Sequence, residues 1–163
     1  MRYRRYKQTP QYGVGLIEVV VGVAVVVIVL LGLVGAYVTF VRTARHNTEL
    51  LKATYLLQEG IEAVRIIRDN GWSNIDALAN TTTYYLAFDE GTWVATTTPE
   101  VIGSFTRSIL LSEVRRNNAT FDIEPTGNLD DRSRALSVTV SWESTDGPRA
   151  ETLEAYITKF IEA

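Results

Sequence analysis

Cysteine is absent from these 163 residues, and histidine occurs once, as His46. No disulfide can staple the fold, so core packing, a metal or neighbouring subunits must hold it. The lone histidine follows an apolar run and has no nucleophile or second base near it in sequence, so no catalytic constellation emerges and no enzymatic activity is expected. Internal repeats are lacking, and low complexity is confined to threonine triplets at 81–83 and 96–98. Acids are missing from residues 1–17, and residues 19–41 carry no charge of either sign.

That uncharged stretch of 23 residues, at about 1.5 Å of helical rise each, reaches about 34 Å and is long enough to cross a hydrocarbon core of about 30 Å. Ahead of it Arg2, Arg4, Arg5 and Lys7 stand without an acid. The positive-inside rule therefore holds this basic head in the cytoplasm and sends the C-terminal bulk outward. The residues closing the run, Val38-Thr39-Phe40-Val41, are bulky, which argues against a cleaved secretory signal. One carboxylate, Glu18, sits just inside the apolar boundary. Its placement there costs about 2–3 kcal/mol on insertion scales, so a cationic partner is expected. A cut between Gly13 and Val14 would supply one: the new α-amino group would lie four residues from Glu18 and could pair with it within the chain or between bundled helices. In an anchor that stays uncut, Glu18 would instead snorkel to the headgroups.

The basic leader, Gly13, the apolar residue after it and Leu16-Ile17-Glu18 resemble the class III signal of type IV pilins and type II secretion pseudopilins. The resemblance implies that a prepilin peptidase cuts after Gly13 and methylates the amine of Val14. Only that cut, and not one after Gly15, leaves Glu18 at the fifth mature position. Two residues depart from the commonest pattern: Val14 stands where the family most often has Phe, and Gly35 stands about where many major pilins carry a proline. Gly32 and Gly35 each lower helix propensity by about 1 kcal/mol relative to Ala, while together with Gly22 they suit close packing of helices in a lipid bundle. The wording of residues 56–65, Leu-Leu-Gln-Glu-Gly-Ile-Glu-Ala-Val-Arg, also looks like the helix of bacterial minor pilins.

Past the apolar run, Leu50, Ala53, Leu57, Ile61, Val64 and Ile67 recur at three- and four-residue steps between charged residues, which predicts that the helix continues as an amphipathic one. It should end near Asn70-Gly71, with the glycine left-handed and Arg65 and Arg68 complementing the helix dipole. The total is about 55 residues and about 80 Å. From residue 72 onward turn formers punctuate short β-prone runs. Leu136, Val138, Val140 and Trp142 alternate with polar residues and predict a strand with one buried face. Asp146-Gly147 reads as a hairpin turn, and 152–160 as the partner strand or, alternatively, a C-terminal helix. Weaker strands are expected at 84–88, 92–97, 105–114 and 120–124, giving four to six in all.

Removing the leader takes four of sixteen basic residues and none of nineteen acids, leaving 12 minus 19, or −7, so nucleic acid is not an expected partner. Arg115-Arg116 with Arg107, and Arg132 with Arg134, are read as solvated loops or salt bridges. Asp130 and Asp131, beside Asn128 and with Asp122 or Glu124, are weak calcium candidates whose plainer reading is a turn. Asn80-Thr81-Thr82 and Asn118-Ala119-Thr120 are formal glycosylation sequons. Trp72, Trp93 and Trp142 with Tyr84 and Tyr85 form either a binding face or, more commonly in a small sheet, core.

The expected fold class is α+β: a long N-terminal helix, transmembrane in its inner half and amphipathic in its outer half, packed on a small antiparallel sheet, the lollipop layout of the family it resembles. The expected segments are a leader at 1–13, a helix at 14–71 with its transmembrane part at 14–41, and a β-rich head at 72–163. The resemblance implies a structural filament subunit, minor rather than major, without a cofactor. Its partners would be prepilin peptidase, other pilin subunits in a helical filament, an inner-membrane assembly platform, and membrane lipid before assembly. Its location would be the inner membrane as a single-pass protein with the head outside, then an extracellular or periplasmic filament. The alternative is an uncut, membrane-anchored binding or sensor domain.

Overall fold

The computed structural model describes residues 14–160, so the leader and Gly13 lie outside the described residues. Helix α1 (Val14–Asp69) is 56 residues long. By contacts the chain divides into two compact units, Met1–His46 and Asn47–Ala163.

In the first unit α1 runs unbroken through Gly22, Gly32 and Gly35, and residues 15–40 are exposed all round. Thr39 Oγ1 donates to the Gly35 carbonyl at 3.0 Å, so its hydroxyl is satisfied inside the apolar run. By length and composition this helix can cross a membrane.

In the second unit the periodic stripe is buried as expected. Ala53, Leu57, Val64 and Ile67 enter the core together with Ala63, and Leu50 and Ile61 pack against it. The helix stops where Asn70 N–H donates to Ile66 O at 3.0 Å and Gly71 N–H to Arg68 O at 2.9 Å. Gly71 is not in the expected left-handed helical conformation. Its φ of 141° and ψ of 131° swing the chain directly into a second, five-residue helix, α2 (Trp72–Asp76), whose Ile75 is fully buried. The turn formers and β-prone runs from residue 72 onward predict a β-rich head with no helix here.

The sheet has six strands: β1 (Thr83–Asp89), β2 (Thr92–Thr96), β3 (Val101–Ile102), β4 (Phe105–Arg116), β5 (Asn128–Ser144) and β6 (Gly147–Thr158). All pairings are antiparallel in the order β2-β1-β4-β5-β6, with β3 on β4. Glu90 and Gly91, at φ 46° and 85°, close the two-residue β1–β2 turn. Phe105, Ile109 and Leu111 from β4, with Leu136, Val138, Val140 and Trp142 from β5, form the face that meets the helix stripe, joined by Leu86 and Ile157.

Two expectations are corrected and a third is resolved. Residues 120–124 form no strand, only a single bridge between Arg116 and Ile123, because Phe121 takes a left-handed φ of 62° that breaks extension. The last hairpin turns at Thr145-Asp146 rather than Asp146-Gly147, since Ser144 pairs with Gly147; Gly147, at φ 110°, opens β6, and Pro148 sits within that edge strand. Residues 147–158 are strand, as the partner-strand reading of 152–160 expects and unlike the alternative helix; Leu153 is exposed and Ile157 is fully buried, as an edge position dictates.

Candidate functional site

Glu18 stands five residues into α1, counting Val14 as the first, and its side chain is exposed amid apolar neighbours. Among the described residues none of the five ion pairs includes it. From Val19 to Phe40 the helix offers only apolar, glycine, alanine, threonine and tyrosine surface, all of it exposed. Such a surface must be covered by lipid or by other helices. Gly13, where cleavage is expected, lies outside the described residues; Val14 is the first residue of α1.

The second unit contains a polar fastening. Arg107, read with Arg115-Arg116 as a solvated loop or salt bridge, does form an ion pair, but not on the surface: it alternates in β4 with Phe105, Ile109 and Leu111 and therefore points into the core, where it is 2% exposed. Its Nη1 donates to Glu59 Oε2 at 2.6 Å, while its Nε is buried without a partner. The guanidinium lies 5.0 Å from the centre of the Trp93 ring. The i, i+2 pattern of Phe105-x-Arg107-x-Ile109 was the signal that would have found it. Glu49 makes a second fastening, accepting from Trp142 Nε1 at 3.1 Å and from Ser144 Oγ at 2.8 Å.

Of the two calcium candidates, Asp130 is committed elsewhere. It accepts from Arg116 Nε at 2.6 Å and from Arg132 N–H at 3.0 Å. Burial opposes its ionisation, but hydrogen bonds from Arg116, Ser133 and the Arg132 backbone, with the Arg116 charge, prevail and hold the carboxyl below its ordinary value. Asp131 is exposed beside it. Among the described residues no three acidic or histidine side chains converge as a metal site would need. The paired Asp130 carboxylate is instead the anchor of a turn. Arg134 likewise bonds Asp76 Oδ1 at 2.6 Å.

The tryptophans are core. Trp142 is buried against Phe105, and Trp72, Trp93 and Tyr84 pack partly buried on the same cluster. Of the sequon asparagines, Asn118 is exposed and Asn80 is half-buried with its side-chain oxygen enclosed. His46 is half-buried on α1.

Comparison with protein-family models, with curated proteins and with solved structures returned no match.

Proposed function

We propose that the chain is a structural, non-enzymatic subunit, a minor pilin or pseudopilin, of a type IV pilus or type II secretion-like filament. The observation that carries this reading is the single carboxylate at the head of the otherwise apolar, exposed run 15–40 of α1, in register with the Gly13-Val14 junction. A lone acid in an apolar run needs a cation, and cleavage after Gly13 creates an amine four residues away. In the inner membrane the helix is solvated by lipid with the head outside. In the filament, helices of neighbouring subunits replace the lipid, and Glu18 is neutralised by an N-terminal amine. Prepilin peptidase performs the only covalent chemistry, cutting the peptide bond after Gly13 and methylating Val14.

Intact mass after co-expression with a prepilin peptidase tests the proposal. Loss of residues 1–13 with one added methyl group is expected. A chain left whole by a competent peptidase would overturn it in favour of an uncut, membrane-anchored binding or sensor domain.

A further inference from the structure

At one end of the sheet the pairing of β4 with β5 jumps. Glu113 faces Arg134 while Val114 faces Asp130, so residues 131–133 bulge out of the ladder. Bulges re-aim side chains and gather beside functional sites. The connection between the two strands folds against this bulge and encloses an open pocket of about 490 Å³, within the range of sites for small molecules.

The pocket floor is built and held by Arg116. Its guanidinium donates to Asp130 Oδ2 at 2.6 Å, to the Phe121 carbonyl at 3.0 Å and to Ser133 Oγ at 3.4 Å, tying strand, loop and bulge into one unit. Gly127 lies so close to the Arg116 backbone that no Cβ would fit. On the wall, Phe121 combines two unfavourable states: a left-handed φ of 62° and a ring 72% exposed to water. A phenyl group kept out of the core by a strained backbone is an arrangement found at ligand clamps. Leu129, 52% exposed, is a second apolar side chain in the lining.

The charges narrow the ligand. Arg116 and Asp130 neutralise each other, which leaves Arg132 and Lys159 against Asp131 along the rim, with none of these three in an ion pair among the described residues. The carbonyl of Arg132, in β5, accepts from Lys159 N–H at 2.8 Å, which holds Lys159, the residue after the end of β6, beside Arg132. A cation surplus beside a guanidinium-bound aspartate repels a metal ion and favours a single anionic group. A flat apolar wall beside hydrogen-bonding side chains fits a ring with C–H faces and a polar perimeter.

We propose that this pocket binds a saccharide carrying a carboxylate, with Phe121 stacked on the sugar face, Asp131 and Asn118 bonded to hydroxyls, and Arg132 and Lys159 holding the acid group. Arg132 presents the forked donors that match a carboxylate. The assignment is independent of the filament reading, because it concerns only the sheet end and not the Gly13-Val14 junction.

The test is calorimetric titration of the full chain, in a zwitterionic detergent without a sugar headgroup, with trigalacturonic acid and with maltotriose as the neutral control. Trigalacturonic acid should bind at least tenfold more tightly than maltotriose. Replacing both cations, Arg132→Gln with Lys159→Gln, should weaken the acidic sugar at least tenfold. Phe121→Gly should weaken it comparably while raising the thermal midpoint, because glycine relieves the left-handed strain; that pairing separates lost binding from lost folding. The proposal is overturned if trigalacturonic acid does not bind at millimolar concentration, if the two sugars bind alike, if inorganic phosphate displaces the acid at equal concentration, or if the variants keep wild-type affinity.

Discussion

Arg107 is the residue on which docking of the outer helix depends most unusually, since it places a charge in the core with one strong partner, Glu59. That partner is 47% exposed, so solvent weakens the pair, yet the Arg107 side chain itself is only 2% exposed. Glu59→Gln should cost about 1–2 kcal/mol in urea unfolding followed by tryptophan fluorescence. Arg107→Met in the Glu59→Gln background should recover part of that loss, because no buried charge is then left uncompensated. A double variant less stable than Glu59→Gln alone would mean that Arg107 contributes through its Trp93 contact rather than through the ion pair. Asp130 contributes a pH dependence of its own. Its carboxyl titrates below the ordinary 3.8, so the unfolded chain takes up its proton first on acidification. The contribution of Asp130 to stability is thus complete above that value and disappears as pH falls through the lower, folded one. Asp130→Asn should destabilise the protein at pH 7, and the difference from wild type should shrink below about pH 3.8. Unfolding midpoints at pH 7 and pH 3 check this; an equal deficit at both would place the loss in packing.

At the scale of elements, helix and sheet meet through Gly60. A Cβ there would lie 2.6 Å from Val138 Cγ1 and 3.1 Å from Arg107 Cδ. Alanine in place of a helical glycine ordinarily gains about 1 kcal/mol, but Val138 is fully buried and has nowhere to move. Gly60→Ala should therefore lower stability by a net of about 1 kcal/mol, as overpacking outweighs propensity. In a Val138→Ala background the same substitution should become stabilising, and thermal midpoints of the four proteins in the cycle read the change of sign. Elements with a strong period were legible in sequence: the stripe from Leu50 to Ile67 and the alternation from Leu136 to Trp142 are where burial repeats over enough residues to outweigh local preference. What was not legible depended on contacts distant in sequence. Helix α2 is five residues and exists because Ile75 finds the core. Strand β3 is two residues held only by β4. Residues 120–124 were expected to extend, but the Arg116 bond to the Phe121 carbonyl favours a turned loop. The pocket at the sheet end was equally hidden, since the bulge opposite the Glu113–Val114 step arises from register and not from composition.

For the whole molecule the question is what covers an apolar helix surface that the chain itself leaves open from Gly15 to Phe40. Lipid suffices for an anchor, and for an anchor Glu18 is only a cost, tolerable near the headgroups. A filament imposes a further demand, because lipid and headgroups are withdrawn and every helix is packed among copies of itself, where an unpaired carboxylate is strongly unfavourable. Under the filament proposal the glutamate and the new amine are complementary, and removing either leaves the other buried without a partner. Glu18→Ala should therefore insert, be cut after Gly13 and reach the membrane fraction at wild-type level, yet fall at least tenfold in sheared filaments when both are quantified by immunoblot. A variant that retains the pairing chemistry, Glu18→Asp, should recover part of the assembly that alanine loses. Normal incorporation of Glu18→Ala would break the link between the carboxylate and assembly, and would leave the helix as a membrane anchor whose single acid has no structural task.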